Sequence, residues 1–337
     1  MPSAPIAIQA GLVMPGASAY ALTAASLTPV ITLPYEQLAS YNWVFGTDSS
    51  DLSDLISGAK LQQNIALALN GNNGSGYEAS GVLEFTGGGA TTQATGMWFA
   101  TAGAISGVYI ISPGAGYVTA PTVKAITSSG TGAVVTATLG GSGALGTSSI
   151  VLSAASGTGL ITPVTESRDQ TLCAVIKVNK SSSGAGNPSP VFGTLFAGSS
   201  PSGLSGGSGL FLQGTNATIP GYVATTRPGS AIAASAPAGV ADGGYAFVAM
   251  SEATAGDRLV YWGGPAPTTY TAKQAKNMLA TPPKIAIGQG YYAGTGFGLE
   301  IAELICIPRS TTASELDAVY ARSKARMAAR PTPVAVY

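Results

Sequence analysis

The sequence predicts an all-β protein that ends in one helix. Short alternating or apolar runs are bounded by Gly, Pro, Ser and Asn, and these turn signals recur about every 8 to 12 residues, as in β-sandwiches and barrels. Only the last segment changes to the three- and four-residue spacing of a helix. The chain of 337 residues is long enough for two domains, each with its own hydrophobic core.

An uncharged segment opens the chain. Residues 1–35 contain no Asp, Glu, Lys or Arg, and they include several prolines. Disordered tails are normally charged or poor in hydrophobic residues, and this segment is neither. We therefore expect an extended N-terminal docking arm that becomes ordered against a partner. A flexible tail is the alternative.

Strand patterns fill residues 36–84 and 166–330. The period-two alternation of DQTLCAVIKVNK places four apolar side chains on one face of a strand: Leu172, Ala174, Ile176 and Val178. An Ala-Gly-Asp turn joins the two strands of YAFVAMSEATAGDRLVYWGG. A weak helical pattern, TAKQAKNML, covers residues 271–279. These segments are expected to build one sandwich.

The C-terminal helix is specified by local rules. Thr312 and Glu315 form a Thr-x-x-Glu capping box, and Pro331 marks the end of the helix. Apolar side chains at helical spacing form one face: Leu316, Val319, Tyr320 and Met327. Basic side chains crowd the C-terminal half, where the helix dipole favours cations: Arg322, Lys324, Arg326 and Arg330. We interpret them as a solvated face, and a nucleic-acid surface is the alternative.

A segment almost without charge separates the two strand-rich parts. Residues 85–165 contain a single charged side chain, Lys124. A surface loop accommodates an insertion easily, because the entropic cost grows only logarithmically with length. We therefore expect an inserted Gly-rich β-hairpin subdomain. The expected organisation has four parts: an arm at 1–35, a sandwich from 36–84 and 166–330, an insert at 85–165 and a C-terminal tail at 331–337.

Strands and tight turns alternate within this insert at Gly107–Gly140. The run GVYIISPGAGYVTAPTVKAITSSGTGAVVTATLG predicts a strand, a Pro-Gly-x-Gly-Tyr turn, a second strand, a Gly-Thr-Gly hairpin and a third strand. Gly114 and Gly116 permit positive φ in the first turn. Pro113 and Pro121 lie at strand boundaries, where the ladder can spare a donor. The pattern resembles a hairpin module of tail-fibre, baseplate and other virion proteins of tailed bacteriophages.

Other segments resemble the concanavalin A-like (laminin-G-like) jelly-roll domains. YNWVFGTDSSDLSDLISGAKLQ is similar to the opening of such domains, and DQTLCAVIKVNK to an early strand. GLEIAELICIPRSTTASELDAVYARSKARM, residues 298–327, is similar to their terminal strand and helix. The resemblance implies a two-sheet antiparallel jelly-roll sandwich. It also matches Glu303 to a glutamate found in non-enzymatic members.

Composition excludes several classes of chemistry. The chain has no histidine, which removes Ser-His-Asp and Cys-His hydrolases and His-ligated metals. Basic and acidic residues balance at 15 each, so the sequence lacks the net positive charge that favours binding to nucleic acid or an anionic membrane. No run approaches the roughly 18 apolar residues that span a bilayer, and the N-terminus lacks the basic segment of a secretory signal.

Low charge predicts association. Charged residues make up 9% of the chain, against about a quarter in ordinary globular proteins. A surface with so few charges promotes self-association. We therefore expect a homo-oligomer, most simply a trimer, or contacts with other subunits.

Two glutamates on the predicted last strand invite comparison with glycoside hydrolases, which use a carboxylate pair. Glu300 and Glu303 are three residues apart, and such residues point to opposite faces of a regular strand. LEIAEL also lacks the E-x-D-x-E type of pattern. The prediction is that the protein is not an enzyme.

Asp48, Asp51 and Asp54 are candidate calcium ligands. Their three-residue spacing does not supply ligands at alternate positions as a calcium loop does. Capping and turn roles are the simpler interpretation. We expect no cofactor, with Ca²⁺ as the weaker alternative.

Aromatic residues cluster in the glycine-rich run GQGYYAGTGFG. Tyr291, Tyr292 and Phe297 are candidates for stacking on sugar rings, with core or interface packing as the alternative. Cys173 and Cys306 lie in predicted strands, where buried free thiols are expected.

These observations predict a structural component of a tailed-phage virion, assembled in the host cytoplasm. The arm would attach to other virion proteins, and the sandwich would be displayed as a fibre or adhesin that binds host surface glycans without cleaving them. A capsid decoration protein of the cement or head-fibre type would share this fold and is the alternative. A carbohydrate-active enzyme is a third hypothesis, disfavoured by the missing histidine and the unsuitable carboxylate pair.

Overall fold

A computed structural model describes most of the chain after the N-terminal segment. The described residues are 34–46, 52–140, 144–152, 159–177, 188–194, 208–214, 220–226, 230–235, 243–263, 265–271, 274–288 and 299–337. The expected arm at 1–35 therefore lies almost entirely outside them, as does Val178.

The described residues are nearly all β-structure with one helix. The strands are β1 (Tyr41–Val44), β2 (Gln62–Gln63), β3 (Ile65–Leu69), β4 (Ser80–Thr86), β5 (Thr95–Thr101), β6 (Ala104–Ser112), β7 (Thr122–Ala125), β8 (Val135–Leu139), β9 (Ala144–Leu145), β10 (Ile150–Leu152), β11 (Leu160–Thr165), β12 (Gln170–Lys177), β13 (Pro188–Gly193), β14 (Gly209–Gly214), β15 (Pro220–Thr226), β16 (Ser230–Ser235), β17 (Tyr245–Glu252), β18 (Arg258–Trp262), β19 (Thr268–Tyr270), β20 (Lys284–Ile287) and β21 (Leu299–Ile307). The helix is α1 (Ala313–Ala328).

Two antiparallel sheets form a jelly-roll type of β-sandwich. Among the described strands, the first sheet has the order β19-β18-β17-β12-β21-β10-β9, and β1 also pairs with β21. The second sheet has the order β16-β15-β14-β13-β20-β11-β2. Strands distant in sequence are therefore neighbours in space, and the predicted all-β sandwich fold is confirmed.

Strand β12 of the first sheet is packed on both of its faces. Its even-numbered residues Leu172, Ala174 and Ile176 lie in the core between the two sheets. Its odd-numbered residues Cys173 and Val175 lie in a second core on the outer face of the first sheet. Because both faces of the strand are covered, the whole run from Gln170 to Ile176 is buried.

Helix α1 covers that outer face. Leu316, Val319 and Met327 belong to the second core, as the apolar spacing predicted. Thr312 and Glu315 form the predicted capping box. Val334 and Val336 also belong to this core, so residues 331–337 pack on the sheet and are not a separate tail.

The insert has its own core. Strands β6, β5, β4 and β7 form one sheet in that order, and β3 pairs with β8. Trp98, Tyr77 and Ile105 lie in a cluster separate from both sandwich cores. Gly81 faces the ring of Trp98 so closely that a Cβ atom there would overlap it. Small residues thus let large rings fill this thin subdomain.

The boundaries of the insert differ from 85–165. Its strands run from β3 to β8, so the first ladders begin before Phe85. β10 and β11, inside the expected insert, pair with β21 and β20 of the sandwich. The low charge of 85–165 was misleading, because buried sandwich strands such as Leu160–Thr165 are as free of charge as the insert.

The turn-rich module also pairs differently from a simple hairpin. Gly114 and Gly116 adopt the predicted positive φ, 68° and 79°. However, β6 pairs with β5, β7 with β4 and β8 with β3. The segment after β7 therefore leads from one sheet to the other. Local turn signals do not specify which distant strand completes a ladder.

The helical pattern at 271–279 is wrong for the described residues. Residue 271 and residues 274–279 contain no helix. Lys276, within that pattern, is 3% exposed and contacts the carboxylate of Glu252. A tertiary ion pair has overridden a weak local preference.

Candidate functional site

The predicted sugar-stacking residues lie in the connection between the two sheets. Tyr291, Tyr292 and Phe297 fall in 289–298, outside the described residues. The strands on either side are described: β20 ends at Ile287 in the second sheet, and β21 begins at Leu299 in the first. The connection therefore starts and finishes at one end of the sandwich.

Pairing of the flanking residues identifies that end. Leu299 pairs with Leu152, where β10 finishes, and Ile287 pairs with Leu160, where β11 starts. The described residues on either side of 153–158 and of 289–298 thus lie at the same end of the sandwich. We call this end of the sandwich, defined by Leu152, Leu160, Ile287 and Leu299, the aromatic end.

Glu300 lies beside the aromatic end on the outer face of the first sheet. Its carboxylate accepts a hydrogen bond from Lys177 Nζ at 3.0 Å and another from Ser149 Oγ at 3.1 Å. The hydrogen bond to Glu300 raises the pKa of Lys177 above its ordinary value. The glutamate side chain is 29% exposed, so this pair is partly solvated.

A β-bulge corrects the expected geometry of Glu300 and Glu303. The register of β21 against β12 shifts between Glu303 and Ile301. Glu300 and Glu303 consequently both face the outer layer, where Glu300 contacts Lys177 and Glu303 contacts Arg326 of the helix. The expectation of opposite faces was wrong, because a bulge adds one residue and resets the alternation.

Glu303 is nevertheless buried in a hydrogen-bonded network. Its side chain is 0% exposed, and it accepts from Asn42 Nδ2 at 3.1 Å and Arg326 Nε at 2.9 Å. Ser323 Oγ also donates to it. The network holds β1, β21 and α1 together, so Glu303 attaches the helix to the outer face of the first sheet.

The same network corrects the interpretation of the basic helix face. Arg326 is buried, and its guanidinium also contacts Glu36 at 3.1 Å. Arg322 donates to Glu36 as well, while Arg330 is buried and donates to the carbonyl of Phe45. These arginines therefore face the protein, and only Lys324 of the predicted set is exposed. Sequence spacing could not reveal a buried acid 286 residues away.

Asp54 has the predicted turn role. Its carboxylate accepts from the backbone of Asn42 at 2.5 Å and from the backbone of Ser57 at 2.5 Å. Asp48 and Asp51 lie outside the described residues. Within the part of the chain that is described, no cluster of three or more acidic or cysteine side chains is arranged to hold a metal.

A cleft of about 340 Å³ opens at the opposite end of the sandwich. It lies between Tyr41, Val164 and Pro308. Its volume falls within the usual range for small-ligand sites. Its polar groups are engaged, because Gln170 donates to Glu252 and Thr165 accepts from Lys284. The cleft therefore offers apolar contact with few groups to orient a ligand.

The predicted burial of the two cysteines is confirmed. Cys173 and Cys306 are buried free thiols, and burial raises the pKa of both. Tyr261 and Trp262 are buried at the end of β18. Burial and a hydrogen bond to Asp317 raise the pKa of Tyr261.

Comparison with known proteins gives similarity to distant structures. No family model matches the chain, and no curated protein matches it. The binding domain of botulinum neurotoxin serotype D is similar at 12% identity and a TM-score of 0.35, over 53% of this chain and 43% of that one. A Trypanosoma rangeli sialidase in complex with sialic acid is similar at 15% identity and a TM-score of 0.36, over 53% of this chain and 28% of that one. This chain thus spans less than half the length of either protein.

The class of protein follows from its own strands. The two antiparallel sheets, the single helix within the described residues and the separate β insert define an all-β jelly-roll sandwich. No helix of the described residues is long and apolar enough to cross a membrane.

Proposed function

We propose that this protein is a structural component of a tailed-phage virion that binds host surface glycans without cleaving them. One observation carries the binding part of the proposal. The aromatic-rich sequence 289–298 connects β20 of one sheet to β21 of the other, and binding residues are commonly carried by segments that connect the elements of a scaffold. Tyr291, Tyr292 and Phe297 would supply stacking surfaces that need no ionisable group.

The state of the nearby carboxylates supports binding without cleavage. Glycoside hydrolysis requires two carboxyl groups that reach the scissile bond. Glu303 is fully buried under the helix, and Glu300 is engaged by Lys177. A polysaccharide at the aromatic end would therefore meet one partly exposed, paired carboxylate from this strand.

Exposed apolar side chains on the insert support assembly on a larger particle. Val118 is 78% exposed, Val82 is 55% exposed, and Val134 and Ile126 are also exposed. Scattered single residues of this kind are ordinary, but here they share one small subdomain in a chain poor in charge. Contacts with copies of the chain or other virion proteins would cover them.

Substitution of the loop aromatics tests the binding proposal. We expect Tyr291→Ala and Tyr292→Ala to weaken adsorption to host cells, each lost ring contact contributing about 0.5–1.5 kcal/mol by analogy with aromatic pairs. Tyr337→Ala is the control for loss of an exposed tyrosine outside 289–298. If both variants adsorb as the wild type does and their melting temperatures are unchanged, the glycan-binding site does not include Tyr291 or Tyr292.

The position of the protein in the particle separates the two virion roles. A tail location in images of the intact particle would support the adhesin proposal. A location on the head would favour the decoration alternative, in which the arm at 1–35 attaches to capsid subunits. Absence from the particle would overturn both.

A further inference from the structure

A buried cluster of ionisable groups closes the end of the sandwich opposite the aromatic end. Lys276 Nζ contacts Glu252 Oε2 and lies 3.8 Å from Glu166 Oε1. The side chains are 2%, 3% and 0% exposed, respectively. Glu166 follows β11 of the second sheet and Glu252 ends β17 of the first, so the cluster spans both sheets.

We propose that Lys276 and Glu252 form an intramolecular isopeptide bond, with Glu166 as the proton-transfer group. Amide formation needs an amine held against a carboxyl carbon, a group that moves protons, and donors that stabilise the charge developing on oxygen. The cluster contains all three. The inference is independent of the proposed glycan binding.

The amine is held in place by its surroundings. Lys276 Nζ donates to the backbone oxygen of Ser167 at 2.9 Å while contacting the Glu252 carboxylate. No solvent competes for the amine, because its side chain is almost fully buried. This proximity converts the reaction into an effectively unimolecular step.

Donors are directed at the carboxyl group of Glu252. Ser208 Oγ donates to Oε1 at 2.9 Å, and Gln170 Nε2 donates to Oε2 at 3.1 Å. Arg258 is the cross-strand partner of Glu252 and is itself buried. These groups would stabilise the negative charge of a tetrahedral intermediate.

The chemistry balances with the groups present. A proton passes from the Lys276 ammonium to the Glu252 carboxylate, and the amine then attacks Cδ of Glu252. Glu166 accepts a second proton from the attacking nitrogen and returns it to the departing Oε2. The Nζ–Cδ bond forms, the Cδ–Oε2 bond breaks, and one water leaves without any oxidant or reductant. The reaction replaces a buried ion pair, whose desolvation is costly, with a neutral amide.

The product would tie the two sheets together covalently. It would link the end of β17 in the first sheet to the segment that leads into β20 of the second. Covalent closure restricts the unfolded chain, as a disulfide does. A protein displayed on a particle surface would gain resistance to unfolding without using its two cysteines, which the structure keeps apart on opposite faces of the first sheet.

Mass spectrometry of the denatured, reduced full-length protein tests the bond. We expect the intact mass to be one water below the sequence mass, and fragmentation to find the peptide containing Glu252 joined to the peptide containing Lys276. Localisation matters, because an Asp-Gly pair such as Asp242–Gly243 can also lose water by closing to a succinimide. A full sequence mass with separate, unmodified peptides would overturn the proposal, and this result does not depend on any variant folding.

Two variants and one internal control assign the roles. Lys276→Arg should abolish the cross-linked peptide, and Glu166→Gln should slow or abolish its formation while the protein still melts cooperatively. Lys177 and Glu300 form a matched Lys–Glu pair at 3.0 Å that is partly exposed, and Lys177→Arg should leave the cross-link intact. Full cross-linking in Glu166→Gln would show that Glu166 does not transfer the proton. A cross-linked peptide that persists in Lys276→Arg would overturn the proposal.

Discussion

At the scale of single residues, Arg326 attaches the helix to the rest of the protein through buried ion pairs. Its guanidinium lies between the buried carboxylates of Glu36 and Glu303, at 3.1 Å and 2.9 Å. Arg326→Met would leave both acids without this partner inside the protein. We expect the free energy of unfolding to fall by about 3–5 kcal/mol, as is usual when one partner of a buried ion pair is removed. Urea unfolding measures the change.

The exposed pair Arg309–Glu315 provides the control for Arg326. Its side chains are 46% and 36% exposed, and exposed pairs contribute about 0–1 kcal/mol. Arg309→Met should therefore change stability by less than about 1 kcal/mol. Equal effects of the two substitutions would mean that burial of the Arg326 network does not stabilise the outer layer.

Glu78 makes one turn of the insert sensitive to acid. Hydrogen bonds from Ser128 and then Thr127 lower its pKa from the ordinary 4.5 to about 2. Because the folded pKa is lowered, the stabilisation is present above about pH 4.5 and is lost as the pH falls towards 2. We expect the protection factors for amide hydrogen exchange at residues 126–131, which are corrected for the pH dependence of the intrinsic rate, to fall over that interval.

Glu78→Gln is the comparison that identifies the cause. The amide keeps the size of the side chain but removes the charge, so exchange at 126–131 should be faster than in the wild type near neutral pH and should change less in acid. An identical pH profile for the two proteins would show that Glu78 does not hold this turn.

At the scale of elements, the insert should be removable along the boundaries that the ladders define. Gly140 N donates to Asn64 O at 2.8 Å, so the two ends of the insert are adjacent. Replacing 65–139 by a short Gly-Ser linker should leave the sandwich folded, because the insert has a separate core. Cooperative urea unfolding, followed through Trp43 and Trp262, would report this.

Deleting 85–165 instead should prevent folding. That deletion removes β10 and β11, including Leu152 and Leu160 of the central core, and takes one ladder neighbour each from β21 and β20. A folded product from this second deletion, or an unfolded product from the first, would contradict the strand assignment.

Elements with strong local signals could be predicted, and those defined by distant partners could not. The capping box at Thr312, the turn glycine Gly114 and the alternation of β12 follow from chemistry within a few residues. The bulge at Ala302, the pairing of β7 with β4 and the burial of Lys276 depend on contacts far along the chain. For the candidate site, the aromatic residues could be chosen from the sequence, while the engagement of Glu300 and Glu303 required the fold.

At the scale of the whole molecule, we expect a homo-oligomer, with a trimer as the simplest form. The chain combines 9% charged residues with exposed apolar side chains on the insert, Val118 above all. Multi-angle light scattering should give a mass at least twice that of the 33.3 kDa chain, and three times that mass for a trimer. Val118→Lys should lower that mass if the insert forms the contact, and a stable, soluble wild-type monomer would contradict the expectation.

Multivalent display would compensate for weak individual sites. A single aromatic platform gives modest affinity, and several copies on one particle raise the effective concentration of the remaining sites once the first has bound. We therefore expect isolated chains to bind glycans weakly and particles to adsorb strongly. Comparing the purified protein with particles coated by it on the same glycan surface measures this difference.

We propose that the protein binds host glycans and does not cleave them. The most direct measurement incubates the wild-type protein with host surface polysaccharide and follows both retention on the polysaccharide and release of reducing ends. We expect retention that weakens in Tyr291→Ala and Tyr292→Ala, with no new reducing ends. No retention by protein or particle would contradict binding, and the appearance of reducing ends would contradict the non-catalytic role.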